Sequence, residues 1–306
     1  MDMEKIFEKI ENKFLFGKNN AVKLAINLWY PVKFKLLQGS FGTNSDSRER
    51  PIVISLTSFP QRIDQVHFTL KSLLLQHCKP DKIVLYLGRD EFEGRTLPKS
   101  ITDLFQYGVE VRFRDDLKPH TKYFYAMQEF RDSLVITVDD DILYRPKLVG
   151  DLFSAHERFQ DCVICTRAHY MRVLDGHLLP YNDWDFETGY FNHPSYALFA
   201  TGVGGVLYDP RLFIDETFNE DAIKELSLRQ DDVWLKFMEL RSGIRTLAIP
   251  ATKTKYLVGI WGGEKINLNS INVHKNANDI YIRNVMSRYQ IDLRVIADEA
   301  SDCSID

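Results

Sequence analysis

The chain has 306 residues, of which 44% are hydrophobic and 27% charged, so it can bury a full globular core. Its formal net charge of -4 excludes a generally basic surface, and the composition therefore predicts no nucleic-acid partner. The cysteines, Cys78, Cys162, Cys165 and Cys303, are too few and too scattered for a disulfide framework. With no secretory signal and no apolar run near the ~20 residues that span a bilayer, the sequence predicts a cytoplasmic protein.

The N-terminal segment, residues 1–50, is predicted to be a helix followed by a polar linker. From Ala21 to Leu37, apolar residues alternate with Lys23, Lys33 and Lys35. This composition suits an amphipathic helix on the inner face of the cell membrane. It suits equally a helix that packs on the main domain or on the second subunit of a homodimer, and the sequence leaves the three interpretations open.

From Pro51 onward, short apolar runs alternate with segments of helical periodicity. The predicted strands are Ile52–Leu56, Lys82–Leu87, Val109–Phe113, Leu134–Val138 and Cys162–Thr166. The predicted helices are Val66–Gln76, Ile101–Tyr107, Lys122–Phe130 and Pro146–Phe159. This β-α-β alternation predicts an α/β fold with a mostly parallel, doubly wound sheet that has helices on both faces.

The second half of the chain is less regular. Residues Tyr170 to Ala200 are rich in aromatic and polar side chains without a clear period, which predicts long loops. A small-residue strand over Gly202–Leu207 and a helix over Asp231–Arg241 are predicted to follow. We therefore divide the chain into the N-terminal segment, a main domain over residues 51–275, and a C-terminal helix and tail over residues 276–306.

Three adjacent acids, Asp139, Asp140 and Asp141, directly follow the predicted fourth strand. Adjacent carboxylates repel one another, so a fold that places them at the end of a core strand usually supplies a cation. Carboxylate oxygens suit magnesium and manganese, which such sites often bind together with the phosphates of a substrate. A solvated turn is the alternative, but the buried strand before the acids and Pro146 after them favour a ligand site. The pattern predicts chemistry on a nucleotide diphosphate.

Four segments in this order resemble a known family: Ser55–Arg62, Val138–Asp141, Gly202–Gly205 and Gln230–Trp234. Together they resemble the nucleotide-sugar glycosyltransferases of the GT-A fold, in particular bacterial transferases of capsule and O-antigen biosynthesis. The resemblance implies a Rossmann-like catalytic domain with irregular acceptor-side loops. It also implies transfer of a hexose, such as galactose, galactofuranose or glucose, from a UDP-sugar to a hydroxyl of a surface glycan, either an oligosaccharide or a lipid-linked glycan.

The resemblance gives the acid triplet a role in holding the donor. It implies that Asp139 contacts the donor ribose or a metal-bound water, that Asp141 ligates Mn²⁺ or Mg²⁺, and that Asp140 is a neighbour on the donor side. Asp139 and Asp141 are thus the implied metal ligands, with His274 as a third. A bound cation would neutralise the charge that builds on the departing diphosphate. For His274, an ordinary surface histidine is the alternative.

The pair Asp231-Asp232 resembles the E-D or D-D motif that supplies the catalytic base of inverting GT-A enzymes. Such a carboxylate takes the proton from the acceptor hydroxyl as this hydroxyl attacks the anomeric carbon. One alignment of the motif favours Asp232 and another favours Asp231, so both remain candidates. Gln230 stands where better-known patterns have Glu, which leaves inversion as an expectation. The alternative is a pair of acids that merely caps a helix.

The remaining site predictions concern donor and acceptor contacts. The resemblance suggests that Thr57, Arg62 and Lys122 face the donor, with a surface arginine as the alternative for Arg62. The acceptor-binding candidates have aromatic faces or hydrogen-bonding groups suited to sugars, although aromatic side chains in a loop are equally often its anchors. These acceptor-binding candidates are Tyr181, Trp184, Asp185 and His193.

Other classes of protein fit the sequence less well. A nucleotidyltransferase would be expected to have a glycine-rich phosphate loop after the first strand, and the segment from Thr57 to Arg62 has no glycine. A non-catalytic glycan-binding protein on the same fold should have lost one acidic motif, and this chain has both. A glycoside hydrolase also uses two carboxylates, so metal dependence would separate it from a transferase.

Overall fold

The computed structural model describes residues 20–188, 193–249, 258–260 and 277–296. The strands are β1 (Ile52–Ser58), β2 (Lys82–Gly88), β3 (Val109–Arg114), β4 (Leu134–Thr137), β5 (Ile142–Leu143), β6 (Cys162–Cys165), β7 (Ala168–Tyr170), β8 (Val173–Leu174), β9 (His177–Leu178), β10 (Asp185–Thr188), β11 (Leu198–Ala200), β12 (Val206–Tyr208), β13 (Arg245–Ala248) and β14 (Val258–Gly259). The α-helices are α1 (Asn20–Leu36), α2 (Val66–Leu74), α3 (Arg89–Phe92), α4 (Lys99–Thr102), α5 (Thr121–Glu129), α6 (Leu148–Arg158), α7 (Glu220–Leu226), α8 (Asp231–Arg241) and α9 (Ala277–Tyr289).

Seven strands form the central sheet, in the order β13-β6-β12-β4-β1-β2-β3. All neighbouring pairs are parallel except those of β12, which runs antiparallel to β4 and β6. Strand β1 is buried over nearly its whole length, as expected for a strand covered on both faces. The predicted α/β fold with a mostly parallel sheet is therefore confirmed.

Helices cover both faces of this sheet and enclose two apolar cores. One core joins Val53, Val84 and Val135 of the sheet to α5 and α8, and the other joins alternate residues such as Ile54 and Ile136 to α2 and α6. This alternation follows from the two-residue period of a strand, which sends successive side chains to opposite faces. The first four strands and the helices between them therefore position the carboxyl edge of the sheet.

The predicted helix Ile101–Tyr107 is wrong in its extent. The chain there forms only the one-turn helix α4 and a separate 3-10 turn over Phe105–Tyr107. Gly108 ends this turn with φ at +96°, and a Cβ at this position would collide with Thr43. The glycine allows a left-handed turn that stops the helix.

The predicted loops between Tyr170 and Ala200 are also wrong, because much of this region is packed structure. Strands β10, β7 and β11 form a second, antiparallel sheet, and β8 and β9 form a hairpin. Strands of two to four residues are too short to show a period in the sequence. Likewise, Gly202–Gly204 forms a 3-10 turn, so the predicted strand Gly202–Leu207 is replaced by the shorter β12.

The chain before and after the main sheet contributes one long helix each. Helix α1 packs through Tyr30, Phe34 and Leu37 on α2 and on Ile260. Helix α9 packs on α8, where Tyr289 lies edge-on to Trp234 with ring centroids 6.0 Å apart. Within the described residues, we find no helix with the length and apolar character needed to cross a bilayer.

Candidate active site

The two acidic motifs meet at the side chain of Lys122, which projects from α5. Its Nζ lies 2.8 Å from Asp139 Oδ1 and 3.0 Å from Asp231 Oδ2. The side chain is buried, which alone would lower the pKa of Lys122, but the surrounding carboxylates outweigh burial and hold this pKa well above its usual value. One buried ammonium group therefore joins acids that are far apart in the sequence.

The acid pair Asp231-Asp232 occupies the first turn of α8, where backbone N–H groups favour negative charge. Asp231 is buried, which raises its pKa, but the Lys122 ammonium outweighs burial, so the pKa of Asp231 lies below its ordinary value. The side chain of Asp232 is only half-buried, and its Oδ1 accepts a hydrogen bond of 3.0 Å from the Gly202 backbone N–H. Desolvation and the neighbouring Asp231 hold the pKa of Asp232 well above its ordinary value. The pKa of Asp231 is therefore lowered, whereas the pKa of its neighbour Asp232 is raised.

Gly202 brings the backbone into the centre of this cluster. A Cβ atom at this position would lie 2.9 Å from Lys122 Nζ and 3.1 Å from Asp232 Oδ1. These distances are shorter than carbon normally tolerates to charged groups, so a side chain would displace one of them. Glycine therefore permits the close approach of backbone, ammonium and carboxylate.

The central acid of the triplet, Asp140, is buried and fully engaged. Its carboxylate accepts hydrogen bonds from Ser58 Oγ at 2.6 Å and from Arg62 Nη1 at 2.8 Å, and Thr69 donates to its carbonyl oxygen. Burial raises the pKa of Asp140, and Arg62 opposes this effect. Both carboxylate oxygens of Asp140 thus bind protein groups, and its contact with the donor stays a prediction.

The outer acids of the triplet are more open, with 31% of the side chain exposed for both Asp139 and Asp141. Asp141 Oδ2 lies 2.9 Å from Arg62 Nη1, and burial together with the charge of Asp139 raises the pKa of Asp141 to about 6. The backbone of Asp139 is fixed separately, since its N–H donates to the hydroxyl of Tyr144 at 2.9 Å. Asp139 and Asp141 therefore present carboxylates at the surface of a cluster with excess negative charge.

As metal ligands, the carboxylates of Asp139 and Asp141 fit part of a divalent metal site. Both are hard oxygen ligands, and their mutual repulsion, visible in the raised pKa of Asp141, would be relieved by a cation. Among the described residues, no group of three or more His, Cys, Asp or Glu side chains is arranged to hold a metal ion. The third predicted ligand, His274, lies outside the described residues.

The basic and hydroxyl side chains predicted to contact the donor make contacts within the protein. Lys122 forms ion pairs with Asp139 and Asp231, and its contact with the donor stays a prediction. Arg62 binds the acid triplet, and Thr57 donates its hydroxyl to the carbonyl oxygen of Tyr86 at 3.0 Å. Arg62 and Thr57 remain half-buried at the same edge of the sheet.

The predicted acceptor residues fall into two groups. The rings of Tyr181 and Trp184 are buried with centroids 4.9 Å apart, and the Trp184 indole N–H donates to the Leu179 carbonyl, so neither ring offers a free face to a sugar. These two rings pack as anchors of the second sheet, which is the alternative that the sequence left open. Asp185 forms a surface ion pair with Arg172, and His193 is exposed.

Sequence reasoning did not predict the individual hydrogen bonds that support the acids, although Ser58 and Gly202 lie in segments that carry the family resemblance. The Ser58 hydroxyl and the Gly202 backbone N–H donate to Asp140 and Asp232, and Tyr144 bridges Asp139 to the carbonyl oxygen of Val203. His120 is fully buried, and burial lowers its pKa to about 4. The signal for these residues was weak, because isolated polar residues beside apolar runs are common at strand and helix ends.

Comparisons with known proteins give distant structural similarities. No protein-family model matches the chain, and no curated protein matches it in sequence. The mannosyltransferase PcManGT from Pyrobaculum calidifontis, solved in complex with GDP-Man and Mn²⁺, is 9% identical with a TM-score of 0.42, over 76% of this chain and 64% of that one. A 4-diphosphocytidyl-2C-methyl-D-erythritol synthase is 9% identical with a TM-score of 0.42, over 75% of this chain and 100% of that one.

A third solved structure, S. aureus TarS 1-349, is 14% identical with a TM-score of 0.41. The similarity covers 65% of this chain and 58% of TarS. The chain thus spans less than two thirds of the mannosyltransferase and of the TarS fragment. Similarities at this level do not distinguish one activity from another.

Proposed function

We propose that the chain is a metal-dependent glycosyltransferase of the GT-A type. It transfers a hexose from a UDP-sugar to a hydroxyl of a surface-glycan acceptor, with inversion at the anomeric carbon. One observation carries this proposal: the acid triplet and the acid pair converge on the ammonium group of Lys122. Convergence at the carboxyl edge of a mostly parallel sheet supports a single site in which one motif holds the diphosphate and the other performs acid-base chemistry.

The contacts favour Asp232 over Asp231 as the catalytic base. Asp231 is buried, bound to Lys122 and has a lowered pKa, so its carboxylate is a weak base in a closed position. Asp232 is more exposed and has a raised pKa, which makes its ionised form the stronger base. A general base works best when its pKa is close to the operating pH.

In this mechanism, Gly202 and the N-terminus of α8 orient the Asp232 carboxylate. The Gly202 N–H binds Oδ1, which leaves the other oxygen to accept the proton of the acceptor hydroxyl. The hydroxyl oxygen forms a bond to the anomeric carbon as the bond to the diphosphate oxygen breaks, and the electron pair leaves with the nucleoside diphosphate. Asp139 and Asp141 would hold a divalent cation, which when bound supplies charge neutralisation to the departing diphosphate.

The experiment is a donor screen followed by product analysis. Thermal shift with Mn²⁺ and a panel of nucleotide sugars identifies the donor, and release of nucleoside diphosphate then reports transfer. We expect Asp141→Asn to lose both the Mn²⁺-dependent donor shift and the release. The matched control is Asp161→Asn, which changes a surface aspartate with 74% of its side chain exposed and should behave as the native chain does.

Three results would contradict the proposal. The first is nucleoside diphosphate release at the native rate by Asp141→Asn. The second is formation of pyrophosphate from a nucleoside triphosphate and a sugar phosphate, which is the reaction of a nucleotidyltransferase. Lack of any donor shift across the panel in the native chain would also count against a nucleotide-sugar substrate.

A further inference from the structure

Helix α1 carries an apolar stripe that the described part of the chain leaves in solvent. Leu28, Val32 and Leu36 are 64%, 48% and 54% exposed. Their spacing of four residues places them on one side of the helix. A helix on a globular protein normally turns its apolar side to the core, and α1 already does so with Tyr30 and Phe34 on its other side. The second apolar stripe therefore needs a separate explanation.

The sequence around this stripe carries charge of one sign. Residues 20–45 contain three lysines but no Asp or Glu, although the whole chain has a net charge of -4. Of these lysines, Lys33 is buried over the Tyr30 ring, and Lys35 is exposed. Lys35 is exposed beside Leu36, and Trp29 is half-exposed next to Leu28. Exposed apolar residues with flanking lysine and tryptophan are the composition of a helix that lies in the headgroup region of a bilayer.

The same charges disfavour a second copy of the chain as the partner. In a twofold interface the stripe would face its own copy, and the exposed Lys35 of each helix would enter that interface without a carboxylate from α1 to pair with it. An anionic lipid surface instead offers negative charge next to an apolar layer. Charge complementarity therefore selects the membrane over self-association.

Helix α1 is also connected to the acid triplet through a single short strand. Asn27 Nδ2 donates to the Gly259 carbonyl at 3.1 Å, and Gly259 in β14 pairs with Ile142 in β5. The next residue, Ile260, donates its N–H to the Asp141 carbonyl at 2.8 Å. These hydrogen bonds link α1 to β5, the strand that follows the triplet.

We propose that Leu28, Val32 and Leu36 seat α1 in the headgroup region of a bilayer that contains anionic lipids. Lys35 lies at the phosphate level of that bilayer, and the contact through β14 holds the acid triplet close to the membrane surface. The binding itself does not depend on the proposed enzymatic activity. It gives that activity direct access to an acceptor carried on a lipid.

The test is co-sedimentation of the full chain with vesicles of phosphatidylcholine, with and without phosphatidylglycerol. The triple variant Leu28→Gln, Val32→Gln, Leu36→Gln keeps helix-forming residues but removes the apolar stripe. We expect its partition coefficient on anionic vesicles to fall about tenfold or more. The matched control replaces three other exposed apolar residues by Gln and should bind as the native chain does; it is Phe105→Gln, Leu174→Gln, Ile280→Gln.

Charge and self-association provide the other arms of the test. Lys35→Glu should weaken binding to anionic vesicles and leave the oligomeric state unchanged, and added salt should weaken binding of the native chain. Equal binding by the stripe variant and the native chain would overturn the proposal. So would a dimer that the stripe variant dissociates, or a loss of thermal stability in that variant with vesicle binding unchanged, because the stripe would then be covered by protein.

Discussion

The acid triplet after β4 and the acid pair that opens α8 each combine a buried carboxylate with a more exposed one. In the triplet the buried member is the central Asp140, which binds Ser58 and Arg62. In the pair it is the first member, Asp231, which binds Lys122. In both motifs a protein cation binds the buried acid. The same two cations also pair with Asp139 and Asp141, whose side chains stay partly exposed.

This comparison explains why neither motif can be interpreted from its acids alone. Asp231 and Asp232 are the same residue type, but burial and one neighbouring cation shift their pKa values in opposite directions. The distinction between an anchoring acid and a reactive acid is therefore a property of the tertiary contacts. Variants of the individual acids can test it.

The largest expected effect is the difference in turnover between a variant of Asp232 and a variant of Asp231. Asp232→Asn removes the proposed base without changing its size, so turnover should fall by about 10²–10⁴-fold with donor affinity retained. Asp231→Asn should affect turnover less and stability more. The measurements are steady-state rates of nucleoside diphosphate release and circular dichroism to check the fold. Native turnover by Asp232→Asn, together with loss of turnover by a folded Asp231→Asn, would reverse the assignment.

The second expected effect concerns the cation that links the two motifs. Lys122→Met leaves Asp139 and the buried Asp231 without their shared ammonium group, and removal of one partner from a buried ion pair costs about 3–5 kcal/mol. Urea unfolding measures this loss. The double variant with Asp231→Asn should lose less than the sum of the single variants, because the uncompensated charge is gone. Strict additivity would show that the two groups are not coupled.

A third expected effect concerns His120, a neutral histidine near the buried Asp231. His120 Nε2 lies 2.7 Å from the Ser227 carbonyl, to which it donates, and its Nδ1 accepts from the Tyr123 hydroxyl, so the buried ring is satisfied when neutral. Its pKa of about 4 lies below the ordinary value of 6.5, so the unfolded chain binds the proton first as the pH falls. As the pH falls from 6.5 to 4, protonation of His120 in the unfolded chain should therefore lower the free energy of unfolding by up to about 3 kcal/mol.

The measurement for His120 is the pH dependence of urea unfolding. His120→Gln should flatten the curve in this pH range, whereas His177→Gln, at an exposed histidine, should leave the slope unchanged. If His120→Gln keeps the native slope, the buried neutral ring does not contribute to acid sensitivity.

The sequence predicted the parts of this molecule that depend on local pattern. Strands β1, β2 and β4 contain continuous apolar runs, the edge strand β3 alternates apolar with charged residues, and the helix Asp231–Arg241 begins and ends as predicted. Long buried strands in a parallel sheet leave such runs because both faces are covered. The two acid motifs were also visible, since each is a run of adjacent residues.

What the sequence could not predict depends on contacts between distant residues. Lys122 was predicted to face the donor, but its ammonium group is taken up by acids on two other elements. Tyr181 and Trp184 were predicted either to bind acceptor or to anchor their loop, because a stretch without periodicity does not indicate which aromatic rings pack together. Gly202 was singled out only as part of the Gly202–Gly205 segment, because its contacts with Lys122 and Asp232 follow from the groups that surround it in space.

The smallest effect in this comparison is expected within the triplet, between Asp140 and Asp141. Asp140→Asn replaces an acceptor of the Arg62 hydrogen bond and should lower the free energy of unfolding by about 1–3 kcal/mol. Its Mn²⁺-dependent thermal shift should persist, because Asp139 and Asp141 remain. Asp141→Asn should show the reverse, a native-like stability with no Mn²⁺-dependent shift, since burial and Asp139 already disfavour its ionised form. Loss of the Mn²⁺ shift in Asp140→Asn alone would make the buried acid the ligand and remove the distinction between anchoring and reactive carboxylates.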